Sequence, residues 1–193
     1  MITASFNKSA VEQLSKLLKG EDKKVRQQLY ISVKAAATKT KGHIARELKK
    51  KCGLQAQTLK KFIRIKIPDK TKPGAVVIVR DSKVWLSLRH FNAKQIATGT
   101  QAKVNPSAGP TVYQSAFMGP RAGVMSIKLR GNVYKRVGAS RNPIEMVRAP
   151  DPVDVFNANN METITVQFSR KELTKQVERR IQFLTAKLQG KIK

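Results

Sequence analysis

The sequence predicts an α+β fold: a mainly antiparallel β-sheet packed against a long N-terminal helix and a C-terminal helix, with an extended loop or hairpin arm at about 90–111. Three observations predict it. Residues 21–52 are rich in good helix formers, with apolar positions recurring at steps of three or four. A run of β-favouring residues broken by turns fills 112–156. A second helical pattern closes the chain, with Leu173, Val177, Ile181, Leu184 and Leu188 on one face. With 193 residues and no internal repeat, the chain reads as a single domain, 1–193.

Taken in order, residues 1–6 suit a short strand. Ser9-Ala10-Val11-Glu12 has the form of a capping box, in which Ser and Glu each satisfy a free amide at a helix start. Val11, Leu14, Leu17 and Leu18 follow at helical spacing, and Gly20 suits the residue after the helix end. The long helix then carries one stripe, Val25, Leu29, Val33, Ala36, Ala37, Thr40, Ile44 and Leu48, small enough at 35–37 to admit another backbone. Its opposite face carries Lys23, Lys24, Lys34, Lys41 and Lys49 to Lys51, and Gly53 ends it. Gly42 weakens it locally, since an interior Gly costs about 1 kcal/mol relative to Ala.

Residues 55–60 suit a turn of helix. Phe62, Ile63, Ile65 and Ile67 read as a strand, the residues 75–79 as a strand buried on both faces, and Val84, Trp85, Leu86 and Leu88 as a third. From 90 to 110 the chain is polar and turn-rich, the pattern of a projecting arm or a surface loop. In 112–156, apolar positions such as Phe117, Val133, Tyr134 and Ile144 are broken by Gly119-Pro120, Gly131-Asn132, Gly138 and Asn142-Pro143, which predicts a small set of paired strands. Asp151 or Asp154 begins a helical turn through Phe156. Ile164, Val166 and Phe168 alternate as an edge strand does, Ser169 and Glu172 form a second capping box for the last helix, and Gly190 ends it.

A formal charge of +27 is the dominant bulk property. It is spread along the chain: residues 21–52 hold ten cations against three acids, and 170–193 hold eight against two. A compact monomer with this charge repels itself and seeks an acidic partner. The hydrophobic fraction of 40% excludes a wholly disordered chain. Cys52 is the sole cysteine, so no internal disulfide forms, and no run reaches the roughly 20 apolar residues of a membrane helix. The amino terminus lacks the apolar core of a signal peptide, which fits assembly in a reducing cytoplasm.

Little chemistry is legible. His43, His90 and Cys52 do not cluster with acids in a metal-binding spacing, and no Gly-rich phosphate loop is present, so neither a metal nor a cofactor is expected. Cys52 sits just before a helix-ending Gly and reads as a plain helix-end residue. Asp151 and Asp154 have the spacing of a carboxylate pair, but helix-start acids explain them more simply. No enzymatic activity is expected. Between Arg121 and Arg148 lie seven cations and one acid, Glu145. Arg121, Arg136 and Arg141, with Lys135 and Arg130, are the candidates for contact with carboxylate or phosphate, because guanidinium groups on turns pair with such anions bidentately. Stabilisation of the turns through backbone carbonyls is the competing role.

The sequence from about 85 to 156 resembles the minor tail protein Z family of tailed bacteriophages. The residues that carry the resemblance are Ala116-Phe117-Met118, then Val133-Tyr134-Lys135-Arg136-Val137-Gly138, then Arg141-Asn142-Pro143-Ile144, then Ala149-Pro150-Asp151-Pro152-Val153. The segment from Leu86 through Arg89 and His90 to Gly99 is similar to the family's strand and basic linker. The last turn departs from the family's Gly-Pro-Ser. The resemblance implies a virion structural protein, a tail completion or neck protein at the head-proximal end of the tail. It further implies a ring of copies, commonly six, near the leading DNA end. The implied partners are the tail terminator ring, the tape-measure protein, head–neck connector proteins and, by contact, phage DNA, with no membrane. Charge alone supports an alternative, a free basic nucleic-acid-binding protein. A peripheral anionic-membrane adaptor is weaker, since no helix pairs a basic face with a bulky aromatic one.

Overall fold

The computed structural model describes residues 8–18, 22–67, 74–80, 86–119 and 131–189. Among them are five α-helices and three small antiparallel sheets, an α+β fold. The chain divides into two compact units that interleave in sequence.

The first unit is built on three helices: α1 (Lys8–Leu17), α2 (Asp22–Lys51) as far as Ala45, and α5 (Met161–Leu188). Every residue of the expected α2 stripe is buried. Val25, Leu29, Val33 and Ala36 of that stripe meet Ala10 and Leu14 of α1 and Leu173 and Val177 of α5 in one apolar core. Removing such side chains from water stabilises the unit by roughly 1.5–3 kcal/mol for each large one. α2 and α5 run antiparallel: Arg180 bonds to Gln28, Lys39 meets Glu172 at 4.0 Å, and the His43 ring stacks on Phe168 at 3.9 Å and 5°. The buried hydroxyls of Ser32, Thr40 and Thr165 donate to carbonyls four residues earlier on their own helices, so they enter the interface satisfied. Also in this unit, β1 (Ile63–Lys66) pairs antiparallel with β2 (Val76–Val79), Ile63 opposite Val79.

The second unit holds the end of α2, α3 (Ala56–Phe62), two three-stranded sheets and α4 (Pro152–Ala158). In the first sheet β3 (Lys94–Ile96), β4 (Gly99–Ala102) and β5 (Thr111–Gln114) follow in order; in the second, β6 (Ala116–Met118), β7 (Val133–Arg136) and β8 (Ile144–Met146) do so. Ser115, at φ 59°, turns the chain from β5 into β6. Side chains join the sheets: Thr100, fully buried, donates to the Ala116 carbonyl at 3.1 Å, and the Gln95 amide accepts from Met118 N–H at 2.8 Å while donating to the Gly99 carbonyl at 2.8 Å. The loop after α2 is fastened by Gly53 N–H to the Val104 carbonyl at 2.8 Å, beside the buried Phe91.

Several expectations are corrected. The strands form three separate sheets in place of one. β2 buries only Val77 fully, because a two-stranded ribbon cannot have both faces covered by its own pairing. Of the expected third strand, Val84 and Trp85 lie outside the described residues, as does the strand at 1–6. Leu88 opens a 3-10 helix, Leu88–Phe91, whose first free amide, Arg89 N–H, is taken by the Ser87 hydroxyl. The loop or hairpin expected at about 90–111 is present: after the 3-10 helix come the β3–β4 hairpin and the loop into β5. Ser9 lies within α1 and Ser169 lies mid-helix in α5, so neither is a cap. The expected edge strand at Ile164, Val166 and Phe168 belongs to α5. Its buried line is Met161, Thr165, Ser169, Leu173 and Val177, at steps of four, whereas Ile164 is 52% exposed.

Two glycines provide opposite tests of this packing. A Cβ on Gly53 would lie 2.0 Å from the Lys103 carbonyl oxygen, whereas one on Gly42 would meet nothing within 4 Å. Gly53→Ala is expected to destabilise by about 1–3 kcal/mol, as overpacking does. Gly42→Ala is expected to stabilise by about 0.5–1 kcal/mol through helix propensity. Urea midpoints of the two variants check both signs.

Candidate interface on the second three-stranded sheet

The four motif segments fold together. Ala116-Phe117-Met118 is β6, Val133 to Arg136 is β7, Arg141 to Ile144 runs into β8, and the Pro150-containing turn leads into α4. The expected paired strands are present: Ala116 lies opposite Lys135, Phe117 opposite Tyr134 and Met118 opposite Val133, while Arg136 faces Ile144 and Tyr134 faces Met146. Val137 N–H closes the β7–β8 hairpin on the Pro143 carbonyl at 3.1 Å, next to the cis Asn142-Pro143 bond. Val133 is fully buried, and its N–H donates to the Ser87 hydroxyl at 3.3 Å.

Of the candidate residues, Lys135, Arg136 and Arg141 lie on this hairpin and are exposed. Arg121 and Arg130 lie outside the described residues. The pleat sends Lys135 and Arg136 to opposite faces, so the hairpin does not gather its cations around one anion. Lys135 stands opposite Glu145, a favourable cross-strand placement. Arg136 shares its face with Tyr134 and Phe117, and its guanidinium carbon lies 5.9 Å from the Phe117 ring centre. The Phe117 and Tyr134 rings are 6.2 Å apart and tilted by 32°. A guanidinium near a ring face keeps its edge donors available, and such a contact is worth about 0.5–1 kcal/mol at an exposed site. Phe117, expected only as a strand position, comes under the arginine because its register opposite Tyr134 puts it on the face of Arg136.

The acids have local duties. Asp151 accepts from Val153 N–H at 3.0 Å and so begins α4, while Asp154 lies in its first turn. Glu47 bonds to Lys50 at 2.7 Å. Among the described residues, no group of three or more His, Cys, Asp or Glu side chains is placed to hold a metal. No helix among them is long and apolar enough to cross a membrane. Cys52 is buried, and burial pushes its thiol up, opposed in part by a backbone hydrogen bond at Leu54. Compared with protein-family models, curated proteins and solved structures, the chain matches none.

Two predictions arise from this environment. The Cys52 thiol should resist a thiol-specific reagent at pH 8 in the folded protein and react promptly in denaturant; equal rates would contradict its burial. His90 is held below the ordinary imidazole range by burial first, then by the charges of Arg89 and Lys61. The unfolded chain therefore binds the proton more readily, so stability is full above the ordinary value of about 6.5 and falls as pH drops from there through the lower folded value. Urea midpoints measured from pH 8 to 5 should fall less in His90→Asn than in the parent chain.

Proposed function

We propose that the chain is a structural protein of a tailed-bacteriophage virion, a tail completion or neck component at the head-proximal end of the tail that enables head–tail joining. One observation carries the reading: the ordered motifs of residues 85–156 that resemble the minor tail protein Z family, and whose strand segments pair as one sheet. A shared register makes these segments one physical unit.

The surface chemistry supports an assembly role. Phe117, Tyr134, Ile144 and Met146 lie half-buried on the face that carries Arg136, and aromatic, methionine and arginine side chains are the residues enriched at protein interfaces. Copies meeting head to tail through such a face close into a ring when the rotation per copy divides a full turn, and six is the number the family likeness favours. The neighbours on this reading are the tail terminator ring, the tape-measure protein and the head–neck connector, whose acidic surfaces or the phage DNA balance the charge of +27. The protein works by binding, without catalysis or cofactor, and is assembled in the host cytoplasm into the virion.

Cryo-electron microscopy of the parent particle tests the reading. Density for this chain at the head-proximal end of the tail is the expected result, and its absence from both neck and tail ends the proposal. A free nucleic-acid-binding protein would have no place in the particle. The double variant Arg136→Ala/Arg141→Ala should fold normally, yet yield separate heads and tails in place of infectious particles.

A further inference from the structure

The side of α2 that turns away from its buried stripe carries lysines spaced among neutral residues. Lys23, Gln27, Ile31, Lys34, Thr38 and Lys41 recur along it at steps of four, four, three, four and three. The first five are exposed and Lys41 is half-buried. The line spans roughly 27 Å at the 1.5 Å rise of an α-helix. Asp22, at the helix start, is the one acid of α2 in this unit, and from residue 23 to residue 45 the helix contains none. The opposite stripe, Val25, Leu29, Val33 and Ala36, is buried against α1 and α5, which fixes the outward direction of the lysines.

The residue types decide which polyanion suits the line. Protein interfaces are anchored by aromatic and arginine side chains and are depleted in lysine at their centres; this line has neither anchor, and its one apolar member, Ile31, is 38% exposed. Single strands bind by stacking bases on aromatic rings, and the line has none. A duplex backbone asks for point charges and short polar donors along a straight edge, the chemistry of lysine, glutamine and threonine.

We infer that the outward line of α2, with Lys23, Lys34 and Lys41 as its charges, lies along the phosphate backbone of a nucleic-acid duplex and does not read its sequence. The inference stands on the helix alone and is independent of the virion reading, so either fails without the other.

Fluorescence anisotropy of the full chain with a labelled mixed-sequence duplex of about 30 base pairs tests it over a salt series. The logarithm of affinity should fall linearly with log salt, and Lys23→Gln/Lys34→Gln/Lys41→Gln should reduce the slope by about 0.9 per lysine. The matched variant Lys60→Gln/Lys94→Gln/Lys103→Gln, three exposed lysines of the second unit, should leave the slope unchanged. Circular dichroism checks that the variants keep their helices. Lysine acetylation footprinting of the unmutated chain gives a second readout, with the duplex expected to protect Lys23, Lys34 and Lys41. The inference is overturned by an unaltered slope in the α2 variant, by protection confined to other lysines, or by tighter binding to oligo-dT or polyglutamate than to the duplex.

Discussion

Charge excess is the constraint on which the rest of this molecule depends. Thirty-nine basic side chains face twelve acidic ones, so most cations have no acid to meet within the chain. The acids that are seen at work serve local geometry: Asp151 starts α4, Glu47 meets Lys50, and Glu172 reaches Lys39 while accepting from Gln176. Pairs of this exposed kind contribute about 0–1 kcal/mol each and cannot neutralise the whole. Folding therefore rests on apolar burial that outweighs self-repulsion, and any anionic partner that binds only the folded chain stabilises it further.

That burial was legible in one long helix and hidden in the other for a physical reason. α2 buries branched and small apolar residues at helical spacing, so its stripe could be read directly, Val25 to Leu48. The first half of α5 buries Thr165 and Ser169, whose hydroxyls are satisfied by the Met161 and Val166 carbonyls of their own helix. Polar residues in a buried line conceal its period, while the exposed Ile164 supplies a false alternation with Val166 and Phe168. Hydropathy records what a side chain is, and a backbone carbonyl within reach of a hydroxyl changes what it costs to bury.

The candidate interface was legible to the same partial degree. Arg121, Arg136 and Arg141 were expected on turns; Arg121 lies outside the described residues, Arg136 ends strand β7 beside Lys135, and Arg141 lies in the loop of the β7–β8 hairpin. The separation of Lys135 and Arg136 onto two faces follows from the period of two, which sequence adjacency disguises. Gln95 and Thr100 carried no signal, because their importance comes from strands that meet about twenty residues later in the chain: Thr100 holds the Ala116 carbonyl and Gln95 holds Met118 N–H. Gly53 was read as a helix stop, yet its main demand is space, with the Lys103 carbonyl where a Cβ would be. Long-range polar contacts and close backbone approaches are set by tertiary structure, and local pattern cannot announce them.

Lysine and arginine divide between the two surfaces in a way that bears on mechanism. The α2 line uses lysine, a strongly hydrated point charge on a flexible stem, which follows a row of phosphates without demanding one geometry. The β7–β8 hairpin uses Arg136, whose planar guanidinium lies 5.9 Å from the Phe117 ring centre and offers the fork of donors that pairs bidentately with a carboxylate. The two proposed roles, lying along a duplex of arbitrary sequence and joining neighbours in one register, call for these two different side-chain types.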